Sequence, residues 1–267
     1  MSLRDRGQLA SNLVLFAMLL VFVRFAGSCE RQRPATSNAP VSAPVENPIK
    51  SVLETPTPRE YRDGIAAAIL IDTSGSMRDK VKDTDGAMQP KIDIAQRAAM
   101  NLVEQFAGYA REHPEKQIVL GIYEFSDRER QPPTRTIVAL GPPDPNAART
   151  AIMSMRAIGG TPIGDAMIQA KLDLDRTSLS KRHILVVTDG ENTRGYRPDD
   201  VTRAITNLND NDRASVYFVA FDVAASKFDR VRESGGLVLA SSNETDLRQT
   251  LDYLLTGKIL AEQPEPR

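Results

Sequence analysis

Residues 65–71 read IAAAILI, seven apolar residues without a break. A strand with one wet face alternates apolar and polar side chains, so an unbroken run asks for cover on both faces, as in a central strand of a largely parallel sheet. The rest of the chain supplies the neighbours such a strand needs. In PKIDIAQRAAMNLVEQF, Ile92, Ala95, Ala99, Leu102, Val103 and Phe106 recur at helical spacing behind Pro90. Further strands are expected at 117–125 (QIVLGIYEF), 134–140 (TRTIVAL), 183–188 (HILVVT), 215–221 (SVYFVAF) and 237–240. Helices are expected at 145–156, 162–175, 198–209, 225–233 and 243–255, the last with Leu247, Leu251 and Leu254 on one face. About eight residues part the strands at 117–125 and 134–140, too few for a crossover helix, so these two should pair antiparallel with the second at a sheet edge. The pattern predicts a doubly wound α/β domain over residues 61–257: a mostly parallel central sheet, one antiparallel edge strand, and helices on both faces.

What precedes this domain has another character. Residues 13–23, LVLFAMLLVFV, form an apolar run behind Arg4 and Arg6. Eleven helical residues reach only ~16 Å, well short of a ~30 Å hydrocarbon core. A basic start, a short apolar centre and the small residues Ala26, Gly27 and Ser28 have the layout of a secretory signal. The only cysteine, Cys29, follows at once, which excludes an intramolecular disulfide and a Cys-based zinc site. This arrangement resembles a bacterial lipoprotein signal, with Cys29 as the lipidated residue; the alternative is an uncleaved membrane anchor over residues 1–29. Either places the folded part outside the cytoplasm or on a membrane, with a periplasmic or extracellular domain at the cell envelope as the expectation and a domain facing inward from an uncleaved anchor as the alternative. Residues 30–60 carry Pro34, Pro40, Pro44, Pro48, Pro56 and Pro58 among Ser, Thr, Ala and Asn, and read as a disordered linker. The tail, 258–267, is expected to be disordered as well. A formal net charge of −1 gives no general attraction to nucleic acid.

In open α/β sheets, ligands bind beyond the carboxyl ends of the strands. Three loops there are rich in oxygen: DTSGS after the run at 65–71, GGTPIGDA at 159–166, and TDGEN at 188–192. Alternate residues of an extended segment point to one side, so Asp72, Ser74 and Ser76 can face a common point, which Thr161 and Asp189 would approach from neighbouring loops. Each has an ordinary reading when taken alone: Thr161 before Pro162 suits a helix N-cap, and Asp189-Gly190 suits a turn. Two carboxylates and three hydroxyls without His or Cys describe a site for a hard cation, Mg²⁺, Mn²⁺ or Ca²⁺. Asp79, Asp83 and Asp85 lie in the loop 78–90, which lacks the terminal Glu of an EF-hand and reads as a solvated rim. Arg194 and Arg197 follow TDGEN and read as exposed charge, with attraction of acidic ligands as the other reading.

With these motifs in place, residues 64 to 255 resemble a von Willebrand factor type A domain. DTSGS, Thr161 in GGTPIGDA and Asp189 in VVTDGEN match all five positions of that family's metal-ion-dependent adhesion site; Lys91 and YEFSD are supporting matches. The resemblance implies Ser74 and Ser76 as direct ligands of Mg²⁺ or Mn²⁺, Asp72 and Asp189 often acting through water, and Thr161 engaging as the site opens. It implies a protein partner whose Asp or Glu carboxylate completes the coordination, and hence a binding module rather than an enzyme. An accessory subunit of an ATP-driven AAA+ or chaperone-type machine is the alternative. A metal-dependent hydrolase fits less well. His113 lies in the polar turn REHPEK, His183 begins a strand at the end away from the metal loops, and no Gly-x-x-x-x-Gly-Lys loop is present.

Overall fold

The computed structural model describes residues 48–54, 60–82 and 85–261. Eight strands are found there: β1 (Arg62–Asp72), β2 (Lys80–Lys82), β3 (Met88–Pro90), β4 (Ile118–Phe125), β5 (Thr134–Gly141), β6 (Leu179–Thr188), β7 (Ser215–Phe221) and β8 (Leu237–Ser241). Six of them form one sheet in the order β5-β4-β1-β6-β7-β8. All neighbours are parallel except β4 and β5, which run antiparallel and leave β5 at the edge. The fold is therefore the expected one. From β1 the chain builds outward through β4 and β5, then returns to β6 on the other side of β1. The order reverses beside β1, and in open α/β sheets ligands bind beyond the strands' carboxyl ends at such a reversal.

Among the described residues seven α-helices flank the sheet: α1 (Pro48–Leu53), α2 (Lys91–Glu112), α3 (Pro145–Met153), α4 (Ile163–Arg176), α5 (Pro198–Thr206), α6 (Asp229–Glu233) and α7 (Glu244–Leu254). The unbroken run of β1 divides between two cores. Ile65, Ala67, Ile69 and Ile71 face α2, α3 and α7, where they meet Ile94, Phe106 and Leu251. Ala66, Ala68 and Leu70 face α1, α4 and α5, against Met167, Leu174 and Ile205. The small residues Ala66 and Ala68 let α4 approach the sheet closely, and both faces of β1 exclude water.

Three expectations need correction. Residues 48–53, assigned to the linker, form α1, and its Ile49 and Leu53 are 5% and 2% exposed. The two lie four residues apart on one helical face, an apolar pair that the surrounding prolines obscure. Second, the loop after β1 is structured. A 3₁₀ turn, Gly75–Arg78, is followed by the antiparallel pair β2–β3, anchored in the core by Met77 and Val81. Third, the helical path passes the expected boundary at 257. A π-turn, Leu255–Ile259, buries Leu255 and Ile259, so Lys258 to Leu260 belong to the domain rather than to a disordered tail. The signal segment with Cys29, the rest of the linker and residues 262–267 lie outside the described residues. Among those described, no helix is long and apolar enough to cross a membrane.

Candidate functional site

Asp72 is the last residue of β1 and is fully buried. Its Oδ1 accepts the Ser74 backbone N–H at 2.7 Å, and its Oδ2 accepts the Thr188 hydroxyl at 2.6 Å. These bonds favour the carboxylate but do not replace the water it has lost. Burial pushes its pKa from 3.8 to about 7, against the opposing pull of Thr188 and Ser74, and the nearby Asp189 charge adds to the rise. A carboxyl group held in this way at the end of a buried strand carries a standing demand for positive charge.

A chain of oxygens leads outward from it. The Ser74 and Ser76 hydroxyls are 3.1 Å apart, and Ser76 donates to Asp189 Oδ1 at 2.7 Å. The carboxylate of Asp189 is inaccessible to solvent, whereas Ser76 is exposed, so the set opens to water on the Ser76 side. Lys91, the first residue of α2, places its ammonium 3.1 Å from Asp189 Oδ2 and 2.9 Å from Asp222 Oδ2. Burial alone would lower the pKa of this lysine, but the Asp222 and Asp189 carboxylates together hold it above the ordinary value.

Thr161 arrives from the neighbouring loop. The Gly75 N–H donates to the Gly159 carbonyl at 2.9 Å, joining the two loops directly. Thr161 is not the N-cap of α4: Asn192 Oδ1 accepts the Ile163 N–H at 2.8 Å and so caps that helix from the 189–193 loop. Thr161 and Thr193 lock the same two loops together, with Thr161 N–H to Thr193 Oγ1 at 2.8 Å and Thr193 N–H to the Thr161 carbonyl at 2.9 Å. The Thr161 hydroxyl is thereby left uncommitted to capping. Among the described residues no hydrogen bond joins it to Asp72, Ser74, Ser76 or Asp189. The structure thus links four of the five expected residues by hydrogen bonds and holds the fifth in a loop stapled beside them.

Several contributors were not anticipated. Thr188 and Asp222 are the clearest. Thr188 directly precedes Asp189, and Asp222 follows SVYFVAF, a carboxylate at a strand's carboxyl end just as Asp72 and Asp189 are. Beneath the first loop, Glu124 is buried and accepts from Arg135 at 2.7 Å and Arg128 at 3.2 Å. Arg128 also reaches Thr73 Oγ1 at 3.2 Å and the Arg156 carbonyl at 2.6 Å, tying β4 to both loops. Arg194 pairs with Asp127 and Arg197 with Asp199, so both guanidinium groups have local partners. Among the described residues no group of three or more His, Cys, Asp or Glu is placed to hold a metal, and the candidate set counts on hydroxyls for its remaining donors.

Residues 67–191 match the model of the von Willebrand factor type A domain. No curated protein matches the sequence. Solved structures resemble the fold at low sequence identity. A von Willebrand factor type A protein from Catenulispora acidiphila shares 20% identity and a TM-score of 0.57, over 75% of this chain and 44% of that one. The PilB minor pilin from Streptococcus sanguinis shares 14% identity and a TM-score of 0.56, over 78% of this chain and 65% of the pilin. An aerotolerance-related membrane protein from Bacteroides fragilis shares 17% identity and a TM-score of 0.53, over 71% and 97%. This chain thus spans less than two thirds of the first two. Sheet order and the single antiparallel edge strand agree with the match over residues 67–191: the described residues have the fold of a von Willebrand factor type A domain.

Proposed function

We propose that Asp72, Ser74, Ser76, Thr161 and Asp189 hold one hard divalent cation, Mg²⁺ or Mn²⁺ with Ca²⁺ as the alternative, and that through it the domain binds an acidic side chain of a protein partner at the cell envelope. One observation carries the reading. A fully buried carboxylate heads a run of oxygen donors, Asp72 to Ser74 to Ser76 to Asp189, that reaches solvent at Ser76. The donors are all oxygen, as a hard cation prefers, and the charge demand of buried Asp72 fits a dication. When bound, such an ion supplies a Lewis acid that a partner's carboxylate can coordinate.

The chain's own residues make the arrangement selective. The Ser74 N–H and Thr188 hydroxyl orient Asp72, Lys91 orients Asp189, and the Gly75–Gly159 bond keeps Thr161 near. A solvent-exposed ion pair is worth only ~0–1 kcal/mol, so capture of a single carboxylate by a surface Lys would be weak and undirected. Binding rather than hydrolysis is supported by where the histidines lie. His183 is buried inside the sheet, where burial pushes its pKa to about 3, and His113 lies beyond the far end of the 22-residue α2 from Lys91. An envelope setting is supported by the signal-like N-terminus and by the pilin and membrane protein among the similar structures.

The test is titration of the purified chain with Mn²⁺ and Mg²⁺, followed by capture of partners from envelope extract with and without EDTA. The parent should bind one equivalent of cation, and Asp72→Ala and Asp189→Ala should bind none while keeping the circular dichroism of the fold. Cation binding by both variants at parental affinity would refute the donor assignment.

A further inference from the structure

Asp222 is not one of the five donors, yet it is tied to them. It follows the end of β7, next to β6, and adopts the left-handed conformation at φ 52°. Asp and Asn tolerate this region better than other residues with a side chain. Its backbone N–H is held by the Ser241 carbonyl at 2.7 Å, and its carboxylate meets Lys91 at 2.9 Å. The same ammonium lies 3.1 Å from Asp189 Oδ2, while Asp189 Oδ1 accepts the Ser76 hydroxyl. One lysine is therefore shared between two carboxylates on adjacent strand ends, and only one of those carboxylates belongs to the donor set.

The electrostatic consequence is direct. The Lys91 side chain is 8% exposed, so water screens its charge far less than that of a surface lysine. A dication beside Asp189 is attracted by that carboxylate and repelled by the ammonium behind it. The more completely Lys91 is committed to Asp189, the less negative charge remains for the ion. We propose that Asp222 sets this balance: it draws part of the Lys91 charge away from Asp189 and thereby strengthens cation binding, as a positioning residue that acts through Lys91 and does not touch the ion. The inference rests on the metal-site reading above and extends it by assigning control of the site's affinity to a residue outside the donor set.

The test is calorimetric titration of the full chain with Mn²⁺, comparing the parent with Asp222→Asn, Asp222→Glu, Lys91→Met and the Asp222→Asn/Lys91→Met double variant. Asn keeps the shape and tolerates the left-handed backbone, so only the charge is removed. Asp222→Asn should bind Mn²⁺ about tenfold more weakly, the scale seen when groups that orient metal ligands are altered, with an EDTA melting temperature close to the parent's. Asp222→Glu should recover most of the loss. With Lys91→Met already present, adding Asp222→Asn should change the affinity less than about threefold, because the route through the ammonium is gone. Parental affinity in Asp222→Asn, or an undiminished tenfold loss beside Lys91→Met, would overturn the role of Asp222 and leave the metal site standing. A parent chain that binds neither Mn²⁺ nor Mg²⁺ would overturn both.

Discussion

Replacing Asp72 by Asn should make the cation-free protein more stable while abolishing its response to cations. Asn fits the space. Its amide oxygen can accept the Ser74 N–H, and its NH₂ can donate to Thr188 Oγ1, whose hydroxyl can then donate to the Gly190 carbonyl already 3.1 Å away. The magnitude follows from the raised pKa, 3.8 to about 7, of a carboxyl group with no solvent access. At about 1.4 kcal/mol per pH unit, this gap corresponds to about 4 kcal/mol as an upper figure. The sign is set by which state holds the proton. Between those two pH values the folded chain keeps the proton and the unfolded chain releases it, so stability is highest below pH 3.8, falls as pH rises, and levels off above about 7. Asn removes the titration. Thermal unfolding in EDTA should therefore show Asp72→Asn melting about 5–10 °C above the parent at pH 8, and little different from it at pH 4. At a Mg²⁺ concentration about 100 times its dissociation constant the parent should gain about 2.7 kcal/mol and the variant nothing. An Asn variant no more stable than the parent in EDTA at pH 8, or an advantage that persists at pH 4, would show that burial of the Asp72 charge is not the governing cost.

Two further substitutions probe the frame around the site. Gly159 has φ 92°, and a Cβ there would run into the Asp127 carbonyl, 2.8 Å from its carbon; Gly159→Ala should cost about 2 kcal/mol or more in chemical denaturation and weaken Mn²⁺ binding, because the Gly75–Gly159 bond that holds Thr161 in place is lost. Leu53→Ala should cost about 2–4 kcal/mol if α1 is part of the domain, as its 2% exposure indicates, whereas the 46% exposed Val52→Ala should fall within about 0.5 kcal/mol of the parent by the same urea titration.

The sheet was readable because its signal is local and repeated. Runs such as IAAAILI and SVYFVAF announce buried strands, and the eight-residue gap after Phe125 forces an antiparallel partner. That Asp72, Ser74 and Ser76 would gather at one point was readable for a related reason: three oxygens at alternate positions are not needed to end a strand. What escaped depends on tertiary pairing. Helix α1 rests on just two apolar residues in a proline-rich stretch, too few to register as a periodic face. Lys171 pairs with Asp175 at 2.6 Å within α4, and Asp175 pairs with Arg182 of β6 at 2.9 Å; such charged residues look solvated until the helix packs on the sheet and buries them. Asn192 capping α4 is similar, since its partners Ile163 and Gly164 lie 29 and 28 residues away in the chain. Asp222 could have been found by the rule that led to Asp72 and Asp189, since it too ends an apolar strand.

If the proposed function holds, exposure around the five residues constrains the partner. Asp72 is inaccessible, and Ser74, Thr161 and Asp189 are 2%, 5% and 7% exposed, so approach is open chiefly on the side of Ser76 and Gly190. The walls on the other sides are held by bonds that would have to break for the opening to widen: Gly75 to Gly159, Thr161 to Thr193, and Glu124 to Arg128 and Arg135. A mouth bounded in this way suits a slender group, one carboxylate on a short stem, better than a broad apolar surface. The same bonds keep the Asp72 carboxyl group under the loops despite its desolvation, and so hold in place a group whose charged form a dication would stabilise. Under the proposed function, affinity for the ion and selectivity for an acidic side chain then share one origin: a carboxylate carried into the core by a strand whose seven preceding residues, 65–71, are all apolar.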